Sequence, residues 1–156
     1  VMMSFIYQIR ELQNGGEFVV LLFLAAWGND TLAYCTGMLI GKHKMSPILS
    51  PKKSIEGLVG GIVGAAILGA LYGLYLNTYI RFSFNPVTMF PIVCGLGGAV
   101  SVIGDLAASA IKRDSGIKDY GTLIPAHGGI LDRFDSIIFI APVIYYLTVM
   151  ISGGAI

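Results

Sequence analysis

The sequence predicts an all-α, polytopic integral membrane protein, a helical bundle with about four transmembrane helices in one domain. Hydrophobic residues make up 55% of its 156 residues and charged residues only 12%, whereas soluble domains carry about 25% charged residues. The mean hydropathy is +0.78. In addition, four mostly apolar stretches have about the 20 residues that a helix needs to cross a bilayer. An ordinary soluble domain is therefore excluded.

The four apolar stretches divide the chain in order. They cover Phe18–Ile40, Ser54–Leu76, Pro86–Ile111 and Gly129–Ile151. Ser54 suits the N-cap of the second helix, because its hydroxyl can accept a hydrogen bond from a free backbone N–H. The first ten residues resemble the end of an earlier segment or an interfacial piece. We therefore expect residues 1–156 to form one transmembrane domain that is the C-terminal part of a longer chain.

Basic residues indicate the orientation of the bundle. Seven of the ten lie between the first and second stretches or between the third and fourth, and Arg133 lies just inside the fourth; only Arg10 and Arg81 lie at the opposite ends. If all four stretches span the membrane, both basic connections lie on the same side. The positive-inside rule makes that side cytoplasmic.

Glycine spacing in the second stretch predicts close helix packing. Three glycine pairs have the GxxxG spacing, namely Gly57/Gly61, Gly60/Gly64 and Gly69/Gly73. Small residues let helix backbones approach each other in lipid. The spacing fits packing within the bundle, and it also fits an oligomer interface along this helix.

Carboxylates are concentrated near the end of the third stretch and the start of the fourth. On a helix, Asp105 shares a face with Ser109 and Lys112, and Asp132 shares one with Asp135. Ionised groups in a span are unfavourable unless they are paired, hydrated or bound to a cation. If the two helix ends pack together, the three aspartates can converge on Mg²⁺ or a similar hard cation. The alternative is pairing within the bundle, for example of Asp105 with Lys112 or of Asp132 with Arg133.

Candidate phosphate ligands surround these aspartates. Lys112, Arg113 and Lys118 can bind phosphate, or they can mark topology and contact lipid headgroups. His127, Gly128 and Gly129 form a turn before the fourth stretch, where free N–H groups at a helix N-terminus favour an anion. His127 could contact a phosphate or act as an acid, but a lone histidine is more often structural.

The first connection and the first stretch add further candidates. Four lysines lie in this connection and could either attract an anionic substrate or mark topology: Lys42, Lys44, Lys52 and Lys53. Asn29 and Asp30 lie within the first stretch, where polar side chains need another helix or a polar cavity. The residues alone thus indicate a cytoplasm-facing, metal-assisted site for a phosphorylated substrate.

The segment from Ser109 to Asp135 resembles the signature of the phosphatidate cytidylyltransferases, also called CDP-diacylglycerol synthases. It reads SAIKR, then KD at positions 118 and 119, then PAHGGILDRFD from position 125. Ala126 stands where the family pattern has glycine. The ND pair at positions 29 and 30 and the SPKKSIEG stretch from position 50 also match, so the resemblance covers nearly the whole chain.

The resemblance implies a Mg²⁺-dependent nucleotidyltransferase that converts CTP and phosphatidic acid into CDP-diacylglycerol and pyrophosphate in phospholipid biosynthesis. It further implies a homodimer in the lipid bilayer of a bacterial inner membrane, with a cytoplasmic active site and no nucleic-acid partner. A second cation beside Mg²⁺ is an option. The implied catalytic residues are Asp105, Lys112, Asp132 and Asp135, and the three aspartates are also the implied metal ligands. The implied substrate-binding residues are Asn29, Asp30, Lys52, Lys53, Ser109, Arg113, Lys118, Asp119, His127, Gly128, Gly129 and Arg133.

Two other functions fit parts of the pattern. A CTP-dependent lipid kinase acting on a polyprenol or phytol would share the nucleotide and the membrane but release CDP. An ion-coupled transporter would also contain intramembrane carboxylates. The charges of this chain cluster at one membrane edge, however, whereas transporter sites usually lie near the bilayer midplane.

Overall fold

The computed structural model describes residues 2–46, 50–116 and 131–152, without the side chains at 46, 50–52, 131–133 and 135. It confirms an all-α bundle, to which one short β-hairpin is added. The described elements, in chain order, are α1 (Ser4–Glu11), α2 (Gly15–Phe23), a π-helical turn (Leu24–Gly28), α3 (Asn29–Ile40), β1 (Lys44–Ser46), β2 (Ser50–Ser54), α4 (Ile55–Tyr79), α5 (Pro86–Asp114) and α6 (Leu131–Ile151).

Three helices in the described ranges are long and apolar enough to cross a membrane. They are the continuous helix Gly15–Ile40, which joins α2 to α3 through the π-helical turn, and the helices Ile55–Tyr79 and Pro86–Asp114. The predicted fourth helix is also present as α6. Its apolar part among the described residues, Ser136–Ile151, is shorter than the other three, so its crossing of the membrane stays a prediction.

Local capping explains where two of these helices begin. The Ser54 hydroxyl accepts a hydrogen bond from the Gly57 N–H at 3.1 Å, which confirms the predicted N-cap of α4. At α5, the Asn85 side chain accepts from the Val87 N–H at 3.0 Å. Pro86 occupies the first turn there, where its missing N–H and fixed φ suit a helix start.

The β-hairpin was not predicted from the sequence. Strands β1 and β2 pair antiparallel, with Lys44 opposite Ser54 and Ser46 opposite Ser50. Their residues, KMS and SPKKS, include none of the β-branched or aromatic types that favour strands. The hairpin places Lys53 and Ser54 directly before α4.

The glycines of α4 pack against neighbouring helices of the same chain. A Cβ on Gly57 would lie 2.7 Å from the Ala33 carbonyl oxygen of α3, and one on Gly73 would lie 2.6 Å from the Pro86 carbonyl oxygen of α5. Hypothetical Cβ atoms on Gly60, Gly61, Gly64 and Gly69 also come within 3.0 Å of α3 or α5. All three predicted glycine pairs therefore serve packing within the bundle.

The core cluster draws buried residues from α1, α2, the π-helical turn, α4, α5 and α6. Its fully buried members include Leu21 of α2, Cys94 of α5 and Ile140 of α6. Large apolar side chains spaced four residues apart along α4 are instead exposed, which suits contact with lipid: Val59, Val63, Ile67 and Leu71. At the end of the bundle formed by the starts of α2 and α5, Phe18 packs on Phe82, Phe84 and Phe90.

We expect Gly73→Ala to destabilise the bundle, because the added methyl group meets backbone atoms of α5. Overpacking of this kind costs about 1–3 kcal/mol, so the thermal unfolding midpoint in detergent should fall measurably. Gly95→Ala is the matched control, since its Cβ would have only the Ala66 Cβ nearby, at 3.7 Å. Equal midpoints for the two variants would contradict the close packing of α4 on α5.

Candidate active site

One carboxylate joins three elements at the end of the bundle where the basic residues lie. Oδ2 of Asp105 in α5 accepts a hydrogen bond from the Lys53 ammonium of β2 at 2.6 Å. Its Oδ1 accepts a hydrogen bond from the Ser136 hydroxyl of α6, also at 2.6 Å. The ends of α5 and α6 therefore pack together, as the convergence of the aspartates requires.

A cavity of about 540 Å³ opens beside this carboxylate. It lies between α3, the hairpin, α4 and α5. Its polar lining includes Asn29, Asp30, Tyr34, Lys44, Lys53, Ser54 and Asp105. Apolar side chains such as Met38, Leu58 and Val102 complete the walls. The structure thus brings four predicted site residues to one cavity, namely Asn29, Asp30, Lys53 and Asp105.

Asn29 is the most deeply buried polar residue lining this cavity. Its side chain is fully buried, and neither its amide nitrogen nor its amide oxygen has a hydrogen-bond partner among the described residues. Added Cβ atoms on Gly61 and Gly98 would lie 2.8 Å and 3.0 Å from its Oδ1, so these two glycines leave room for the amide. A buried polar group without a partner is unfavourable by about 1–3 kcal/mol, which makes Asn29 a candidate ligand-binding group.

The π-helical turn at Leu24–Gly28 ends directly before Asn29. Such turns are rare and occur frequently at functional sites. A π-helical turn shifts the helical register of the residues that follow it. Asn29 and Asp30 are the first residues after this turn. Nothing in the sequence distinguishes this turn from regular helix, and the prediction of one uninterrupted helix did not include it.

The hairpin is held at the N-terminus of α4 by a contact that sequence reasoning missed. His43 Nδ1 lies 2.6 Å from Glu56 Oε1, and the His43 backbone N–H donates to both Glu56 carboxylate oxygens at 3.2 Å. The Ile55 N–H also donates to the His43 carbonyl at 2.9 Å. The sequence feature that could have indicated this contact is Glu56, an acidic residue in the first turn after the Ser54 cap. These contacts fix the backbone next to Lys53.

Ser136 is the other residue that the sequence prediction missed. It lies on α6 and is buried, with 4% of its surface exposed. The available signal was its spacing, because Ser136 follows Asp132 by four residues, about one helical turn. Its hydrogen bond to Asp105 places the first turns of α6 beside the cavity.

The remaining predicted residues fall into three groups, according to how much of each one the structure describes. Ser109 and Lys112 are partly buried on α5 after Asp105, and Arg113 is exposed. Asp105 pairs with Lys53 in this structure, a partner that was not predicted. Five predicted residues lie outside the described residues: Lys118, Asp119, His127, Gly128 and Gly129. Only the backbone is described for Lys52 of β2 and for Asp132, Arg133 and Asp135 of α6, so the predicted triad of aspartates stays a prediction.

The donor chemistry of the cavity suits a hard cation. Asp30 and Asp105 offer carboxylate oxygens and Asn29 offers an amide oxygen, and Mg²⁺ prefers oxygen ligands. Among residues whose side chains are described, no group of three or more His, Cys, Asp or Glu side chains lies close enough to hold a metal. The side chains of Asp132 and Asp135 are outside that set, so their part in a metal site stays a prediction.

The sequence of this chain is similar to known proteins of one enzyme family. The family model of the cytidylyltransferase family matches residues 1–151. A phosphatidate cytidylyltransferase of Staphylococcus saprophyticus is 36% identical over 148 residues, which are 95% of this chain and 55% of the relative. The enzyme of the same name from Staphylococcus aureus is 39% identical over 145 residues, covering 93% of this chain and 53% of the relative.

The chain spans about half the length of the curated relatives it matches. The match nevertheless includes the three membrane-crossing helices, the hairpin and the cavity, because it extends over residues 1–151. On the extent of that match, this chain belongs to the cytidylyltransferase family.

Proposed function

We propose that this protein is a phosphatidate cytidylyltransferase, which transfers CMP from CTP to phosphatidic acid. The observation that carries the proposal is the family match over residues 1–151. The relatives' name, phosphatidate cytidylyltransferase, supports these substrates. The cavity supports them too, since it has charged and apolar walls and phosphatidic acid has a phosphate headgroup on an apolar body.

The reaction makes one phosphorus–oxygen bond and breaks another. A phosphate oxygen of phosphatidic acid attacks the α-phosphorus of CTP, and the electron pair of the broken bond leaves with pyrophosphate. The attacking oxygen is already anionic, so a strong general base is not required. The difficulty is to bring two anions together, which positioned cations relieve by neutralising charge and fixing orientation.

We assign the metal to Asp105, Asp132 and Asp135. The bound Mg²⁺ would neutralise phosphate charge and stabilise the leaving pyrophosphate. Ser136 supports the assignment of Asp105, because its hydroxyl holds one oxygen of that carboxylate. Lys112, Arg113, Lys118 and His127 are proposed to bind the triphosphate or the lipid phosphate.

The orientation and assembly are also proposals. We place the cavity at the cytoplasmic edge of the membrane, because the hairpin and the end of α5 carry the basic residues and the positive-inside rule favours that side. We further propose a homodimer. The glycines of α4 are occupied by contacts within the chain, so the dimer interface would use another surface.

The function is tested with the full-length protein in detergent micelles, supplied with labelled CTP, phosphatidic acid and Mg²⁺. CDP-diacylglycerol and pyrophosphate are the expected products. Release of CDP with a phosphorylated lipid would instead identify a lipid kinase. Ion flux in liposomes without nucleotide, together with no nucleotide-dependent product, would identify a transporter.

We expect Asp132→Asn to abolish product formation while the protein still folds and inserts, because the substitution removes the negative charge of a proposed metal ligand and leaves the size of the side chain nearly unchanged. Asp114→Asn is the matched control, since Asp114 is exposed at the end of α5 and should keep full activity. If Asp132→Asn is as active as the wild type, Asp132 is not a metal ligand.

Asn29→Leu should separate stability from substrate binding. The leucine is similar in size and removes a buried amide that has no partner among the described residues, so stability should stay constant or rise by about 1 kcal/mol. The cavity loses its buried polar group, so the KM for CTP or for phosphatidic acid should rise. Thermal unfolding in detergent and steady-state kinetics give the two readouts. A clear loss of stability with unchanged KM would show that Asn29 is purely structural.

A further inference from the structure

We propose that Lys53 acts as an internal cation, which occupies Asp105 until a divalent metal arrives and then binds phosphate. The inference deepens the proposed function and rests on it for the identity of the phosphate ligand. It assigns Lys53 two alternative partners, namely the Asp105 carboxylate and a phosphate in the same cavity. Lys53 would thereby link metal binding to nucleotide binding.

The first support is the way in which Asp105 is occupied. The Lys53 ammonium lies 2.6 Å from Oδ2, and the side chains of Lys53 and Asp105 are 29% and 21% exposed. Ser136 donates to Oδ1. One oxygen therefore has a neutral partner and the other has a charged partner. A metal on Asp105 can leave the neutral hydroxyl in place, whereas it must compete with the ammonium.

The second support is the contrast between a fixed backbone and a movable side chain. Lys53 directly precedes Ser54, which is 7% exposed and caps α4. The contacts of His43 with Glu56 and Ile55 hold the hairpin at the same helix end. Lysine carries its charge on a flexible four-carbon stem, and Lys53 lines the 540 Å³ cavity. Its ammonium can therefore move within the cavity while the backbone stays fixed.

The third support is electrostatic. Two cations on one carboxylate repel each other, and the repulsion is stronger in a partly buried site than in water. Lys53 should therefore weaken metal binding to the substrate-free protein. When a nucleotide is bound, its phosphates offer the displaced ammonium a new partner. Metal and nucleotide then strengthen each other's binding, and such coupling is reciprocal.

The test measures Mn²⁺ binding to the full-length protein by electron paramagnetic resonance, with and without CTP. In Lys53→Gln, we expect Mn²⁺ alone to bind about tenfold more tightly, because one repelling charge is removed. The factor by which CTP tightens Mn²⁺ binding should fall at the same time. Lys42→Gln is the matched control, since Lys42 is an exposed lysine of the same connection and does not line the cavity. It should leave both quantities unchanged.

Three results would overturn the exchange. The first is Mn²⁺ affinity that is unchanged or weaker in a Lys53→Gln protein with normal secondary structure. The second is that Lys53→Gln raises Mn²⁺ affinity by the same factor in the Asp105→Asn protein as in the wild type. The exchange requires this gain to act through Asp105. The third is a coupling factor that stays at the wild-type value in Lys53→Gln.

Product analysis keeps this inference distinct from the proposed function. If the wild type makes CDP-diacylglycerol and Lys53→Gln fails the Mn²⁺ test, the exchange is wrong and the proposed function stands. If the wild type makes no CDP-diacylglycerol but Lys53→Gln gains Mn²⁺ affinity through Asp105, the proposed function fails. The competition between Lys53 and the metal is then still supported.

Discussion

The contact of Asp105 with Lys53 and Ser136 organises the candidate site. It joins a strand, the end of one long helix and the beginning of another through two short polar contacts. A carboxylate at a membrane edge is unfavourable without such partners. The charge on Asp105 therefore draws together the three elements that border the cavity.

The glycines make this arrangement possible at the level of the backbone. Gly57 and Gly61 bring α4 against α3, and Gly69 and Gly73 bring it against α5. Lipid gives helices little hydrophobic reason to associate, so close backbone packing has to hold them together. The same close approach encloses Asn29 between Gly61 and Gly98. Packing and site formation therefore depend on the same residues.

Much of the fold could be predicted from the sequence because its causes are local. Hydropathy located the long helices, the serine before Ile55 located a cap, and GxxxG spacing located the packing surface. The hairpin could not be predicted, because its residues have low strand propensity and its position depends on the contact of His43 with Glu56. The pairing of Lys53 with Asp105 joins residues 52 positions apart, and no local pattern specifies which lysine reaches which aspartate.

Charge balance in the cavity explains why a cation and a movable lysine fit the proposed reaction. Among the side chains that the structure describes, the charged ones lining it are Asp30, Asp105, Lys44 and Lys53, so two carboxylates offset two ammonium groups. A cavity balanced in this way has no excess positive charge with which to hold a triphosphate and a lipid phosphate together. Binding these anions requires additional positive charge, which under the proposed exchange a divalent metal on Asp105 would add while it releases the Lys53 ammonium. The metal held by Asp105 and the released Lys53 ammonium would then be two separate cations available to the phosphates.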